Sequence, residues 1–303
     1  MSIIVMVCFA RSGGTILNQC LGSLPSAVIM SEVNPLGGGK GIGPKSYRTI
    51  KSQAKNWYGI DLGSDDDNFV KSALELEGIC RSSNKQLIIR DWTYVNFMPA
   101  KENDYVPPQR LLTVEGLQDK CNLMPFAFVR DAIDIYISFL KHIEISDFDP
   151  KKFFSHYLRY VKALLDSNIS LFRYEYFTLD PENTMKDICE STGLQYSPSF
   201  KDFYRFNKVN GDIQFGKSSR GLRKKDIKPL ARKTISEDQI KALNQDNKMI
   251  QANRLLGYPT SYGERKKENF IEKCSDDIHL HINNASNLLG RISKKLNLIK
   301  RNY

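Results

Sequence analysis

Apolar residues fall along this chain in short unbroken runs that alternate with longer stretches of helical spacing. Ile3 to Phe9 is continuously apolar, the pattern of a strand buried on both faces of a parallel sheet. A Gly/Ser turn follows, and Ile16–Leu24 then repeats at helical spacing. Ala27–Met30, Leu87–Ile89, Phe126–Val129 and Ile169–Phe172 predict further strands. Asp131 predicts the cap of a helix through Ile133, Ile137 and Leu140. From about Asp149 a longer helix carries Phe153, Tyr157, Val161 and Leu164 on one stripe. Asp180-Pro181 opens a helix that Gly193 closes, and Ser236–Leu256 reads as one helix ending at Gly257. Residues 34–68 predict loops with room for one helix, and residues 210–233 a basic irregular stretch. Strands alternating with helices imply a three-layer α/β domain around a central parallel sheet with right-handed crossovers.

That domain spans residues 1–263. Residues 264–303 form a basic amphipathic C-terminal helical tail, with Ile278, Ile282, Ala285, Leu289 and Ile292 at helical spacing. Such a stripe docks on its own core or on a sister subunit, which makes the tail the candidate surface for a homo-oligomer. Lys294, Lys295, Lys300 and Arg301 leave a membrane-surface or partner helix as the other reading.

The 303 residues are 41% hydrophobic, enough for one large core. No apolar run reaches the roughly 18 residues that suggest a transmembrane helix. The N-terminus lacks a basic n-region and predicts a first buried strand, not a signal peptide. Six cysteines occur without any CxxC pair, so reduced thiols in a cytoplasmic protein are expected. The net charge of +10 suits a polyanion. With no zinc-finger, RRM or basic-zipper pattern, nucleic acid is not expected and a small phosphorylated ligand is.

The chemistry concentrates where strands end. VCFARSGGT runs from a buried strand through Arg11, Ser12, Gly13, Gly14 and Thr15 straight into a helix. Small residues turn backbone N–H groups inward, the helix N-terminus adds partial positive charge, and Arg11 supplies a planar fork for phosphate or sulfate oxygens. A triphosphate loop would place a lysine after the glycines; none is there. FVRDAIDIYIS puts Arg130 at another strand end and Ser138 a little over two turns into the next helix. Arg90 ends a third strand. In open parallel sheets ligands bind beyond the carboxyl ends of the strands. GKSSRGLRKKDIK adds Ser219, Arg220 and Lys228, either as a solvated loop or as a further anion contact.

These stretches resemble the PAPS-dependent sulfotransferases, whose donor is 3′-phosphoadenosine-5′-phosphosulfate. ARSGGT resembles their 5′-phosphosulfate loop, FVRDAIDIYIS their 3′-phosphate motif, RYEYFTLDPENTMKDICESTGL their Tyr-Glu segment and next helix, and SSRGLRKKDIKPL their C-terminal donor segment. The resemblance is closer to the tyrosylprotein and carbohydrate branches than to the cytosolic small-molecule branch. It implies a P-loop-like, sulfotransferase-type fold. It implies that Arg11, Ser12, Gly13, Gly14 and Thr15 hold the 5′ end, that Arg130 and Ser138 hold the 3′-phosphate, and that Tyr174 lines the pocket. Ser219, Arg220 and Gly221 would make the last donor contacts. Gly14 stands where many members have Thr, and Arg90 where many have Lys.

For transfer to a hydroxyl without a metal, Arg11 and Arg90 are the candidate cationic groups, and PAP is the product nucleotide. Glu32, just after the second strand, is the favoured base, with ordering of the site through an arginine as its alternative role. His142 competes for the base role. No histidine spacing predicts a metal triad. The acceptor, a sugar, phenol, lipid or peptidyl tyrosine, is left open. A nucleoside-triphosphate-dependent kinase or NTPase and a non-catalytic binding protein stand as alternatives.

Overall fold

The computed structural model describes residues 2–37, 49–63, 68–99, 105–140, 149–210 and 226–263. Five strands, β1 Ser2–Val7, β2 Ala27–Val33, β3 Gln86–Asp91, β4 Asn122–Val129 and β5 Ser170–Arg173, form one sheet in the order β2-β3-β1-β4-β5. Every pairing is parallel. The most apolar run takes the centre: Ile3 to Val7 are buried between two neighbouring strands and two layers of helix.

Helices connect the strands. α1 Gly14–Gly22 joins β1 to β2. α2 Ile50–Tyr58 and α3 Phe69–Ser82 lie between β2 and β3, and the short α4 Tyr94–Phe97 and α5 Leu112–Leu117 between β3 and β4. α6 Ala132–Leu140 and α7 Pro150–Asp166 precede β5, which runs into α8 Tyr174–Leu179 and α9 Pro181–Thr192. A 3₁₀ segment, Pro198–Arg205, is followed by α10 Glu237–Asn244 and α11 Asn247–Leu255. The caps expected at Asp131 and Asp180 are present, and Asp149 caps α7 as well, each side chain accepting a backbone N–H of the first turn. The one helix with room in residues 34–68 is α2, capped by Thr49, and α3, capped by Asn68, follows that stretch. The single helix expected over Ser236–Leu256 is broken in two, because Asp246 accepts from the backbone N–H groups of Lys248 and Met249 and so starts α11 afresh.

After β1 the chain moves to β2 on one side, and after β4 to β5 on the other. The carboxyl ends of β1 and β4 are therefore the switch point of the sheet, the edge at which ligands bind in open α/β sheets. Beneath it Phe9, 1% exposed, meets Tyr157 and Tyr160 at 5.2 Å between ring centres. Such pairs add about 0.5–1.5 kcal/mol each beyond burial and fix the base of the loop that follows. Among the described residues no helix is long and apolar enough to cross a membrane. The expected tail helix, His142, Ser219, Arg220 and Gly221 lie outside the described residues.

Candidate functional site

The turn between β1 and α1 is built from two left-handed residues, Arg11 with φ 71° and Gly13 with φ 87°. The Ser12 N–H closes it on the Phe9 carbonyl at 3.2 Å. Arg11 adopts this conformation against its own Cβ, a cost that an L-residue bears only where its surroundings hold it. At Gly13 a Cβ would sit 2.3 Å from the Tyr174 ring, and at Gly14 2.5 Å from the Cys8 sulfur and 3.2 Å from Arg90 Nε. Both glycines are thus required by space. Ser12 is fully buried, and its hydroxyl has no hydrogen-bond partner among the described residues. An unsatisfied buried hydroxyl costs on the order of 1–3 kcal/mol, and an anionic oxygen in the turn would lift that cost. Thr15 lies in the first turn of α1, half-buried.

The two anion sites expected from the sequence are one cluster. Arg11 Nε donates to Ser138 Oγ at 3.0 Å. Arg130 Nη1 donates to the Arg11 carbonyl at 3.1 Å, and its guanidinium carbon lies 4.5 Å above the centre of the Tyr174 ring. The Arg130 carbonyl accepts from Tyr157 OH at 3.1 Å, and Arg130 Nε is buried without a partner among the described residues. Arg11 therefore turns its side chain toward the Arg130 and Ser138 end of the site, although the sequence reading groups it with the loop.

A buried polar network carries the start of α6. Asp131 accepts from the Ile133 N–H at 2.9 Å, from Asn253 Nδ2 at 3.0 Å and from Arg232 Nη2. Arg232 Nε also donates to Asp134 at 2.9 Å, and the Ala132 N–H donates to Asn253 Oδ1 at 2.9 Å. Glu175 joins through Tyr258 OH at 2.7 Å and the Asp131 N–H at 3.4 Å. Removing one member leaves charges and N–H groups buried without their partner, so Asp131→Ala should lower unfolding stability by about 3 kcal/mol or more in urea titration. Local spacing gave no sign of Asn253 or Arg232, since their partners lie 122 and 101 residues away.

On the other side of the loop, β2 and β3 supply an ion pair. The register of β2 against β3 shifts between Ser31 and Val33, and Glu32 at the bulge has φ 53°. A bulge re-aims a side chain, and here Glu32 reaches Arg90 Nη2 at 2.9 Å with side-chain exposures of 14% and 6%. Arg90 Nη1 also donates to Ser31 Oγ and to the Asn210 carbonyl, both at 3.4 Å. Burial pushes the Cys8 thiol up, while the Arg90 guanidinium pulls the other way. Asp91 serves the frame: it accepts from Thr93, Thr113 and Asn34 at 2.6, 2.6 and 2.8 Å. Burial raises its carboxyl, and those hydrogen bonds oppose the rise.

Arg11, Ser12, Gly13, Gly14, Arg130, Ser138 and Tyr174 thus come together at the ends of β1 and β4, with Arg90 and Glu32 bordering Gly14. Lys228 is exposed. No group of three or more His, Cys, Asp or Glu side chains suited to a metal occurs among the described residues. No family model matches the sequence, and no curated protein does. Among solved structures, the chain is similar to the sulfotransferase domain from the curacin biosynthetic pathway, with TM-score 0.56 and 14% identity over 85% of this chain and 98% of that one. It is also similar to the sulfotransferase domain from the Synechococcus PCC 7002 olefin synthase, with TM-score 0.55 and 13% identity over 86% of this chain and 95% of that one. The five-stranded parallel sheet, its helices and the turn at its switch point therefore make up the fold of the sulfotransferase domains.

Proposed function

We propose that this chain is an enzyme that moves a sulfuryl group from PAPS to a hydroxyl-bearing acceptor. The observation that carries the reading is the contact of Arg11, Ser138 and Arg130 in one cluster beside the Gly13–Gly14 turn, at the switch point of the sheet. A small-residue turn adjoining a cluster of two arginines and a serine suits a nucleotide that is anionic at both its 5′ and 3′ ends.

In this reading the turn from Ser12 to Thr15 holds the 5′ end, with the buried Ser12 hydroxyl as a donor. Arg130 and Ser138 hold the 3′-phosphate, with Arg11 spanning from the turn to Ser138, and Tyr174 supports Arg130 from below. Bound PAPS supplies a sulfuryl group on a good leaving phosphate. Arg90 offsets negative charge beside Gly14, the role that a divalent ion fills in kinases. Glu32 accepts the proton of the acceptor hydroxyl. The contact with Arg90 Nη2 at 2.9 Å orients that carboxylate beside the turn. The acceptor is a sugar, phenol, lipid or peptidyl tyrosine, and the protein is cytoplasmic, with the residues after 263 as a separate helical tail.

Sulfur-labelled PAPS incubated with a panel of those four acceptor classes is expected to yield labelled sulfate ester and PAP. Donor binding with no transfer to any class would favour a binding protein over an enzyme. Magnesium-dependent ATP hydrolysis would favour the kinase or NTPase alternative.

A further inference from the structure

Ser31, the residue before Glu32, is gripped from two sides. Among the described residues β2 is an edge strand, so the outward backbone groups of Ser31 have no neighbouring strand there to pair with. The side-chain amide of Gln53, on α2, takes that place. The Ser31 N–H donates to Gln53 Oε1 at 2.7 Å, and Gln53 Nε2 donates to the Ser31 carbonyl at 2.8 Å. Asn210 grips the same residue from elsewhere in the chain. Its Nδ2 donates to the Ser31 carbonyl at 2.9 Å and its N–H to Ser31 Oγ at 2.9 Å. The Asn210 carbonyl then accepts from Arg90 at 3.4 Å. Gln53 and Asn210 are each 1% exposed. The held residue leads directly into the left-handed bulge at Glu32, a conformation that an L-residue keeps only where it is enforced.

We infer that Asn210 and Gln53 are positioning residues that clamp Ser31 and thereby hold the Glu32 carboxylate on Arg90, in the orientation from which it receives the acceptor proton. This rests on the sulfotransferase reading above. Neither side chain needs to touch the donor or the acceptor. Their influence runs through the Ser31 backbone and, for Asn210, through Arg90.

The test is a double-mutant cycle of Asn210→Ala with Glu32→Gln. Asn210→Ala is expected to lower kcat by about 10–100-fold, the scale of a misplaced catalytic group, with the donor KM changed less than about twofold. In the Glu32→Gln background the same change is expected to cost less than about twofold, because the clamp then has no base to aim. The cycle is read also in urea unfolding, which does not depend on turnover, where a coupling of about fivefold in the unfolding equilibrium is expected. Ser31→Ala, which removes the hydroxyl that accepts from the Asn210 N–H and from Arg90 Nη1 while leaving both amide contacts to the Ser31 carbonyl, replaces Asn210→Ala if that variant does not fold. Equal losses in both backgrounds, in rate and in unfolding, would overturn the clamp. A wild-type chain with no transfer would instead sink the sulfotransferase reading, and the unfolding cycle would still decide the clamp.

Discussion

Glu32→Gln is expected to lower kcat by about 10²–10⁴, the range of a positioned general base, while PAP affinity changes less than about threefold. Glutamine keeps the length of the side chain and an oxygen that can accept from Arg90, so the 2.9 Å contact has a neutral counterpart. What it cannot do is take a proton. The two roles open to Glu32 part here. If the carboxylate only ordered Arg90, glutamine, which still accepts from Arg90, would leave kcat largely kept. Steady-state kinetics with saturating donor and calorimetric titration with PAP separate the two. A kcat within about threefold of wild type would remove Glu32 from the mechanism.

Gly13→Ala is expected to weaken PAP binding by 100-fold or more. At this position φ is 87°, which a residue with a Cβ adopts only at a cost of about 1–2 kcal/mol. The added methyl would also lie 2.3 Å from a Tyr174 ring carbon. Tyr174 is buried, packed edge-on against Phe128 and beneath Arg130, so it can yield only by shifting Arg130. Turn and Arg130 would move together, and 100-fold in affinity corresponds to about 2.7 kcal/mol. Isothermal titration of the variant reads this directly. Wild-type affinity in Gly13→Ala would mean that the turn is not part of the donor site.

The frame was legible because its strands are buried on both faces. Ile3 to Phe9, Leu87–Ile89 and Phe126–Val129 have no polar interruption, and only central parallel strands demand that. Strand-end arginines then fall at the correct edge without further information, which is why Arg11, Arg90 and Arg130 were visible as a set. The break between α10 and α11 was missed because the apolar spacing continues across it, and a single side chain, Asp246, decides it. α3, Phe69–Ser82, is not among the elements read from the sequence, although Ala73, Leu76 and Cys80 recur on it at helical spacing. Least legible were the groups that hold the site together. Asn210 meets Ser31 across 179 residues and Ala132 meets Asn253 across 121, and no local period encodes such pairs. Nor does sequence spacing show that Arg11 turns onto Ser138, since the left-handed backbone at Arg11 sets that direction.

The central claim is that Arg130 and Ser138 bind the 3′-phosphate of a nucleotide whose 5′ end lies in the adjoining turn. Thermal melting with PAP and with AMP, which lacks only that phosphate, tests it most directly. At about a hundredfold excess over its dissociation constant, PAP is expected to raise the melting temperature on the order of 5 °C, AMP at the same concentration much less, and Arg130→Ala to abolish the difference. Equal shifts from PAP and AMP, or a PAP shift that survives Arg130→Ala, would contradict it.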